Sequence, residues 1–126
     1  MVLRPLGLTV PQYACLELIG QRPGLSNAAL ARGAFVSRQS MNLVLRGLHE
    51  RGLVSRPDQA PDGRARPTEL TAAGHDQLQA ASTAVREVER RMLEPLSPAQ
   101  QRRLRDELAS CTVALARLAT AEETDR

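Results

Sequence analysis

Lysine and tryptophan are absent from this chain of 126 residues, and tyrosine and phenylalanine occur once each. So few aromatics argue against a β-sandwich, whose strands favour aromatic and β-branched side chains, and suit a core packed from helices. The lack of lysine makes arginine the source of all 17 basic residues. With so much alanine beside it, that bias fits a GC-rich bacterial genome better than any function. Two cysteines, Cys15 and Cys111, are too few and too far apart for a disulfide framework. No apolar run approaches the roughly 20 residues that span a bilayer. The start, Met1-Val2-Leu3-Arg4-Pro5, shows neither the apolar stretch nor the small-residue cleavage site of a signal peptide. The expected location is the cytoplasm, away from any membrane.

Motifs of catalysis are missing too. There is no Gly-rich phosphate loop, no Gly-x-Ser-x-Gly elbow and no histidine paired with a nucleophile, so no enzyme and no catalytic residue is expected. His49, His75 and the two cysteines are scattered without ligand spacing, which predicts neither a metal site nor a cofactor. His75 beside Asp76 reads as a solvated pair at a helix start.

The charge that is present is uneven. Residues 1–68 carry 9 Arg against 4 acids, a balance of +5, while residues 69–126 carry 8 Arg against 10 acids, a balance of −2. A basic front half suits a polyanion, and a mildly acidic back half suits a protein partner or water.

Helix signals are frequent. Thr9 with Gln12 makes a capping box and Pro11 sits in the first turn of a helix carrying Val10, Ala14, Leu16 and Ile19. That helix stops near Gly20, and Pro23-Gly24 breaks the chain. Ser26 caps a short second helix that ends by Gly33-Ala34, and Ser37 caps a third, from Arg38 to about Arg51, closed by Gly52. A short helix, a tight turn and a longer helix make a helix-turn-helix.

The third helix has two faces. Met41, Val44, Leu45 and Leu48 form a core stripe, and Arg38, Gln39, Asn42, Arg46 and His49 gather opposite it. A polar face often means solvation alone. This one holds no acid before Glu50, and its arginine and amide side chains match guanine and adenine edges in the major groove. Leu53 to Arg56 and Arg66 to Leu70 then read as a β-hairpin around a turn-rich segment. A hairpin after a recognition helix is a wing, with Arg64 and Arg66 near its tip and Asp62 placed to orient Arg64.

Thr71 caps a fourth helix running to about Leu93, ahead of Pro95. Leu78, Ala81, Val85, Val88 and Met92 follow a heptad spacing on it. Ser97-Pro98-Ala99-Gln100 opens a fifth helix with a second seam at Leu104, Leu108, Cys111, Leu115 and Leu118. The short connection predicts that these two helices fold back as an antiparallel pair. Cys15 on an apolar helix and Cys111 on an apolar seam lack a basic cluster that would lower a thiol pKa, so oxidant sensing is not expected. The fold class is mainly α with a small β-hairpin wing. Residues 1–70 form a winged helix-turn-helix DNA-binding lobe and residues 71–126 a helical dimerisation arm, within one compact domain overall.

Several strings, in this order, resemble the MarR family of bacterial regulators, over roughly Leu8 to Leu118. They are Leu8-Thr9-Val10-Pro11-Gln12, Leu30-Ala31-Arg32, Ser37-Arg38-Gln39-Ser40, Leu48-His49-Glu50-Arg51-Gly52-Leu53-Val54, Asp62-Gly63-Arg64 and Leu70-Thr71-Ala72-Ala73-Gly74. The resemblance implies a homodimeric regulator, a repressor by expectation, on pseudo-palindromic double-stranded DNA. It implies Arg38, Gln39, Ser40 and Asn42 as base readers, and Ser26, Ser37, Arg46 and Arg66 as phosphate contacts, with Arg64 at the wing tip. The dimer seam is expected at Val85, Val88, Met92, Leu104, Leu108, Leu115 and Leu118. It also implies a small phenolic or lipophilic effector that lowers DNA affinity. The alternative is a winged helix used as a protein–protein module without DNA binding.

Two departures stand out. Phe35 occupies a turn position where many relatives have glycine, which predicts a different turn geometry or packing. The family usually places a whole helix before the Leu8-Thr9 string and uses it in the dimer. Seven residues precede Leu8 here, so either translation begins further upstream or a short variant rests its dimer on the last two helices, and an effector pocket is then in question.

Overall fold

The computed structural model describes residues 1–56 and 67–124. Helices α1 (Val10–Gln21), α2 (Asn27–Gly33) and α3 (Arg38–Glu50) come first, followed by strands β1 (Val54–Ser55) and β2 (Glu69–Leu70) and by helices α4 (Ala72–Leu93) and α5 (Pro98–Thr124). The strands pair antiparallel, with Val54 opposite Leu70 and Ser55 opposite Glu69. The proposed wing residues Asp62, Arg64 and Arg66 lie outside the described residues.

Helix starts obey local chemistry. Thr9 Oγ1 accepts from the Gln12 N–H at 3.2 Å while Gln12 Oε1 accepts from the Thr9 N–H at 3.0 Å, completing the capping box. Ser97 and Gln100 repeat it at α5. Thr71 Oγ1 accepts from the Gly74 N–H at 3.0 Å and donates to the Gly52 carbonyl at 2.6 Å, so one side chain both caps α4 and ties it to the end of α3.

Two helix ends are built alike. At α3 the Gly52 N–H donates to His49 O and the Leu53 N–H to Leu48 O, the paired bonds of a Schellman motif, with Gly52 left-handed at φ 72°. At α2 the Phe35 N–H donates to Arg32 O and the Val36 N–H to Ala31 O, with Phe35 at φ 57°. The turn geometry expected to change at Phe35 is therefore that of a glycine turn, held by a residue with a Cβ. Left-handed backbone costs a non-glycine residue about 1–2 kcal/mol, and glycine offsets part of that through its freer unfolded state. The Phe35 ring is 88% exposed and contributes little packing in return. Phe35→Gly is expected to raise stability by about 0.5–1 kcal/mol in a denaturant titration. A loss of stability would show that the ring has partners in the folded state.

One core joins α1, α2 and α3 to the strands and the first half of α4. Leu16, Leu30, Met41, Leu48 and Cys15 are fully buried, with Leu8, Ile19, Ala31, Leu45, Leu53, Val54 and Ala81 around them. Val10, read as part of the apolar face of α1, stands at its first position and is exposed. Ahead of α1, Leu3 and Leu6 pack on the core around a single 3-10 turn, Arg4–Leu6. The Arg51 guanidinium donates to Gly7 O at 2.8 Å and Leu6 O at 3.1 Å, and Gln77 Nε2 donates to Leu6 O at 2.7 Å.

The chain forms two compact units, Met1–Glu87 and Val88–Arg126, so the boundary falls inside α4. In the first unit Ala81 is fully buried and Leu78 packs on the core. Those two members of the heptad stripe face their own chain. In the second unit Gln101 Nε2 closes the turn before α5 by donating to Leu93 O and Leu96 O. Of the expected seam, Val85 and Leu104 are half-buried and Val88, Met92, Leu108, Leu115 and Leu118 are exposed.

Candidate nucleic-acid interface

Helix α3 is fixed at both ends and along one side. Ser37 Oγ accepts from the Ser40 N–H at 3.1 Å and donates to Ser40 Oγ at 3.0 Å, and the Schellman turn at Gly52 closes the other end. Ser37 therefore serves the cap, while Ser40 keeps its own hydroxyl proton for another acceptor. Met41, Leu45 and Leu48 are buried and Val44 is half-buried, which locks the rotation of the helix about its axis. Arg38, Gln39, Ser40, Asn42, Arg46 and His49 are thereby turned outward, and all are exposed.

An open groove of about 470 Å³ runs beside this face. Asn42, Arg46 and His49 line it from α3, Asn27 from the start of α2, and Arg56 and Thr68 from positions next to the strands, over apolar Leu45 and Val54. Among the described residues no carboxylate lines it. Two arginines, two asparagines and a histidine offer donors throughout, an arrangement suited to phosphate oxygens and base edges.

Structure thus gathers Asn42 and Arg46 in one groove, and leaves Arg38 and Gln39 on the same helix outside it. Ser26 is exposed and caps α2, its Oγ accepting from the Ala29 N–H at 3.1 Å. Asn27 and Arg56 were not singled out from sequence. Arg56 could have been found as the arginine directly after the first wing strand; Asn27, next to a capping serine, carries no such signal.

Glu17, Gly20, His75, Leu78, Ser82 and Arg86 surround a second recess of about 430 Å³, between α1 and the part of α4 that precedes Glu87. The Glu17 carboxylate is engaged there, accepting from Ser82 Oγ at 2.9 Å and from Gln21 Nε2 at 3.0 Å. Arg86, an exposed residue, supplies a cation to its lining.

Cys15 is enclosed, with its Sγ 3.7 Å from Met41 Sδ. Burial pushes its thiol from 9.0 up to about 12. Its reactive thiolate is therefore scarce near neutral pH. The unfolded thiol ionises first, so the neutral buried form supports stability that is intact below about pH 9 and declines as pH rises toward 12. Among the described residues no group of three or more His, Cys, Asp or Glu could hold a metal ion, and no helix is long and apolar enough to cross a membrane.

Comparison with known proteins places this geometry. A family model described as MarR family matches residues 6–65. The HTH-type transcriptional repressor Rv2887 of Mycobacterium tuberculosis is 47% identical over 100 residues, covering 79% of this chain and 72% of the relative. A crystal structure of Rv2887 in complex with DNA is similar at a TM-score of 0.73 and 42% identity, covering 87% of this chain and 82% of that one. Its complex with salicylic acid is similar at a TM-score of 0.74 and 44% identity, over the same shares of the two chains.

Proposed function

This chain belongs to the MarR family, and on that premise we propose that it is a homodimeric repressor binding a pseudo-palindromic operator in double-stranded DNA. The observation that carries the proposal is the groove in which Asn42 and Arg46 of α3 meet Asn27 and Arg56, with no acid among the described residues that line it. In this reading α3 enters the major groove, Arg38, Gln39, Ser40 and Asn42 face base edges, and Ser26, Arg46 and Arg56 hold the backbone. Arg64 and Arg66 would extend the contact from the wing. A groove of this composition on a protein–protein module would need an acidic partner; the relative crystallised with DNA favours the nucleic-acid reading.

The second recess is the candidate effector site. It offers apolar contact through Leu78 and a cation through Arg86, which suits a small phenolic acid, and a relative has been crystallised with salicylic acid. The exposed apolar residues Val88, Met92, Leu108, Leu115 and Leu118 are the proposed self-association surface. A cytoplasmic location and the absence of enzymatic activity belong to the same proposal.

Base reading has its own test. Gln39 and Asn42 present amides suited to adenine N6 and N7, so Gln39→Ala or Asn42→Ala is expected to cost about 1–3 kcal/mol on the preferred duplex and to relax preference at one base pair. Competition binding against all single-base variants of that duplex measures both effects. An unchanged ranking in both variants would remove these residues from the reading face.

A further inference from the structure

The outward face of α3 is polar except at Leu43, a large apolar side chain that is 65% exposed. It stands sixth in the helix, about 40° around the axis from Gln39 and about 60° from Arg46 at 3.6 residues per turn. The stripe that faces the core, Met41, Leu45 and Leu48, lies on the other side and is buried without it. Gly47, one turn further on, has no side chain to screen it. A lone exposed leucine on an arbitrary surface needs no explanation. This one sits among the side chains proposed to read bases, near enough to the helix start to reach base edges where recognition helices do.

We propose that Leu43 is a specificity-determining residue that selects thymine through its C5 methyl group. Leucine has no donor or acceptor, so it is blind to the hydrogen-bonding code of the base edges. The apolar feature that the four standard base pairs present in the major groove is the thymine methyl. Leu43 closes over that methyl, while Gln39 and Arg46, both on one flank of it around the axis, satisfy polar atoms. The inference rests on the DNA-binding reading above and adds to it a residue and a base.

The test uses the full-length chain and a duplex enriched by the wild type from a random-sequence library. Each thymine of that duplex is replaced in turn by deoxyuridine, which removes the methyl and leaves the base-pairing atoms unchanged. One symmetric pair of thymines is expected to be sensitive, at about fourfold in affinity per half-site, the factor that about 0.8 kcal/mol per buried methyl gives. Leu43→Ala, at an exposed position, is expected to bind the thymine duplex more weakly and to lose the thymine-over-deoxyuridine preference at that pair. Leu43→Met is expected to keep most of it. An enriched duplex on which no deoxyuridine substitution matters overturns the inference, as does a methyl preference that persists in Leu43→Ala. A library from which nothing is enriched contradicts the DNA-binding reading itself.

Discussion

Gly74→Ala is expected to destabilise the chain by about 3 kcal/mol or more, a large share of the roughly 5–15 kcal/mol that holds a domain of this kind together. Helix propensity alone predicts the opposite, since alanine is favoured over glycine in a helix by about 1 kcal/mol. The sign is decided by what a Cβ would meet. At Gly74 it would collide with the carbonyl oxygen of Leu53 and come within 3.0 Å of the carbonyl carbon. Those are backbone atoms, and they cannot rotate away as a side chain can. The Leu53 oxygen also accepts from the Thr71 N–H at 3.1 Å, and Thr71 Oγ1 donates to Gly52 O. To relieve the clash α4 would have to lift from the end of α3, breaking both bonds beside the wing strands. Urea titration of the two proteins measures the difference. A neutral or stabilised variant would show that α4 approaches less closely than described.

Leu115→Glu is the second large effect, and it separates assembly from folding. Leu115 is 60% exposed in the single chain, so a carboxylate there leaves the protomer's own fold almost undisturbed. If α5 forms the seam of a dimer, the same carboxylate is buried without a partner in both protomers, at several kcal/mol unless the interface opens. The dimer dissociation constant is then expected to rise by about a thousandfold or more, since each 1.4 kcal/mol is tenfold. Sedimentation should report a monomer with a cooperative melt, binding half-sites weakly. A variant that remains dimeric would place the interface on another surface.

Much of the local structure was legible because local chemistry decides it. Thr9, Ser26, Ser37, Thr71 and Ser97 announce five helix starts, and each cap forms within three residues of itself. The two faces of α3 follow from its periodicity in the same way. What periodicity cannot tell is the destination of an apolar stripe. Leu78 and Ala81 share a heptad spacing with Val88 and Met92, yet the first two pack into the chain's own core and the last two stay exposed. Tertiary meeting points were hidden too. Arg56 joins Arg46 in one groove only because β1 turns back beside α3, and Arg51 holds the Leu6 carbonyl across most of the lobe's sequence. The left-handed turn at Phe35 was obscured by its residue type, since glycine is the signal that normally marks it.

The most direct measurement is the salt dependence of binding to the enriched duplex, for the wild type and for Arg46→Ala. Each phosphate contact contributes about −0.9 to the slope of log affinity against log salt. With Arg46 lining the groove beside Arg56, a steep negative slope is expected, and Arg46→Ala should flatten it by about 1 per protomer while weakening all sequences alike. A slope near zero in the wild type would contradict the account at its centre.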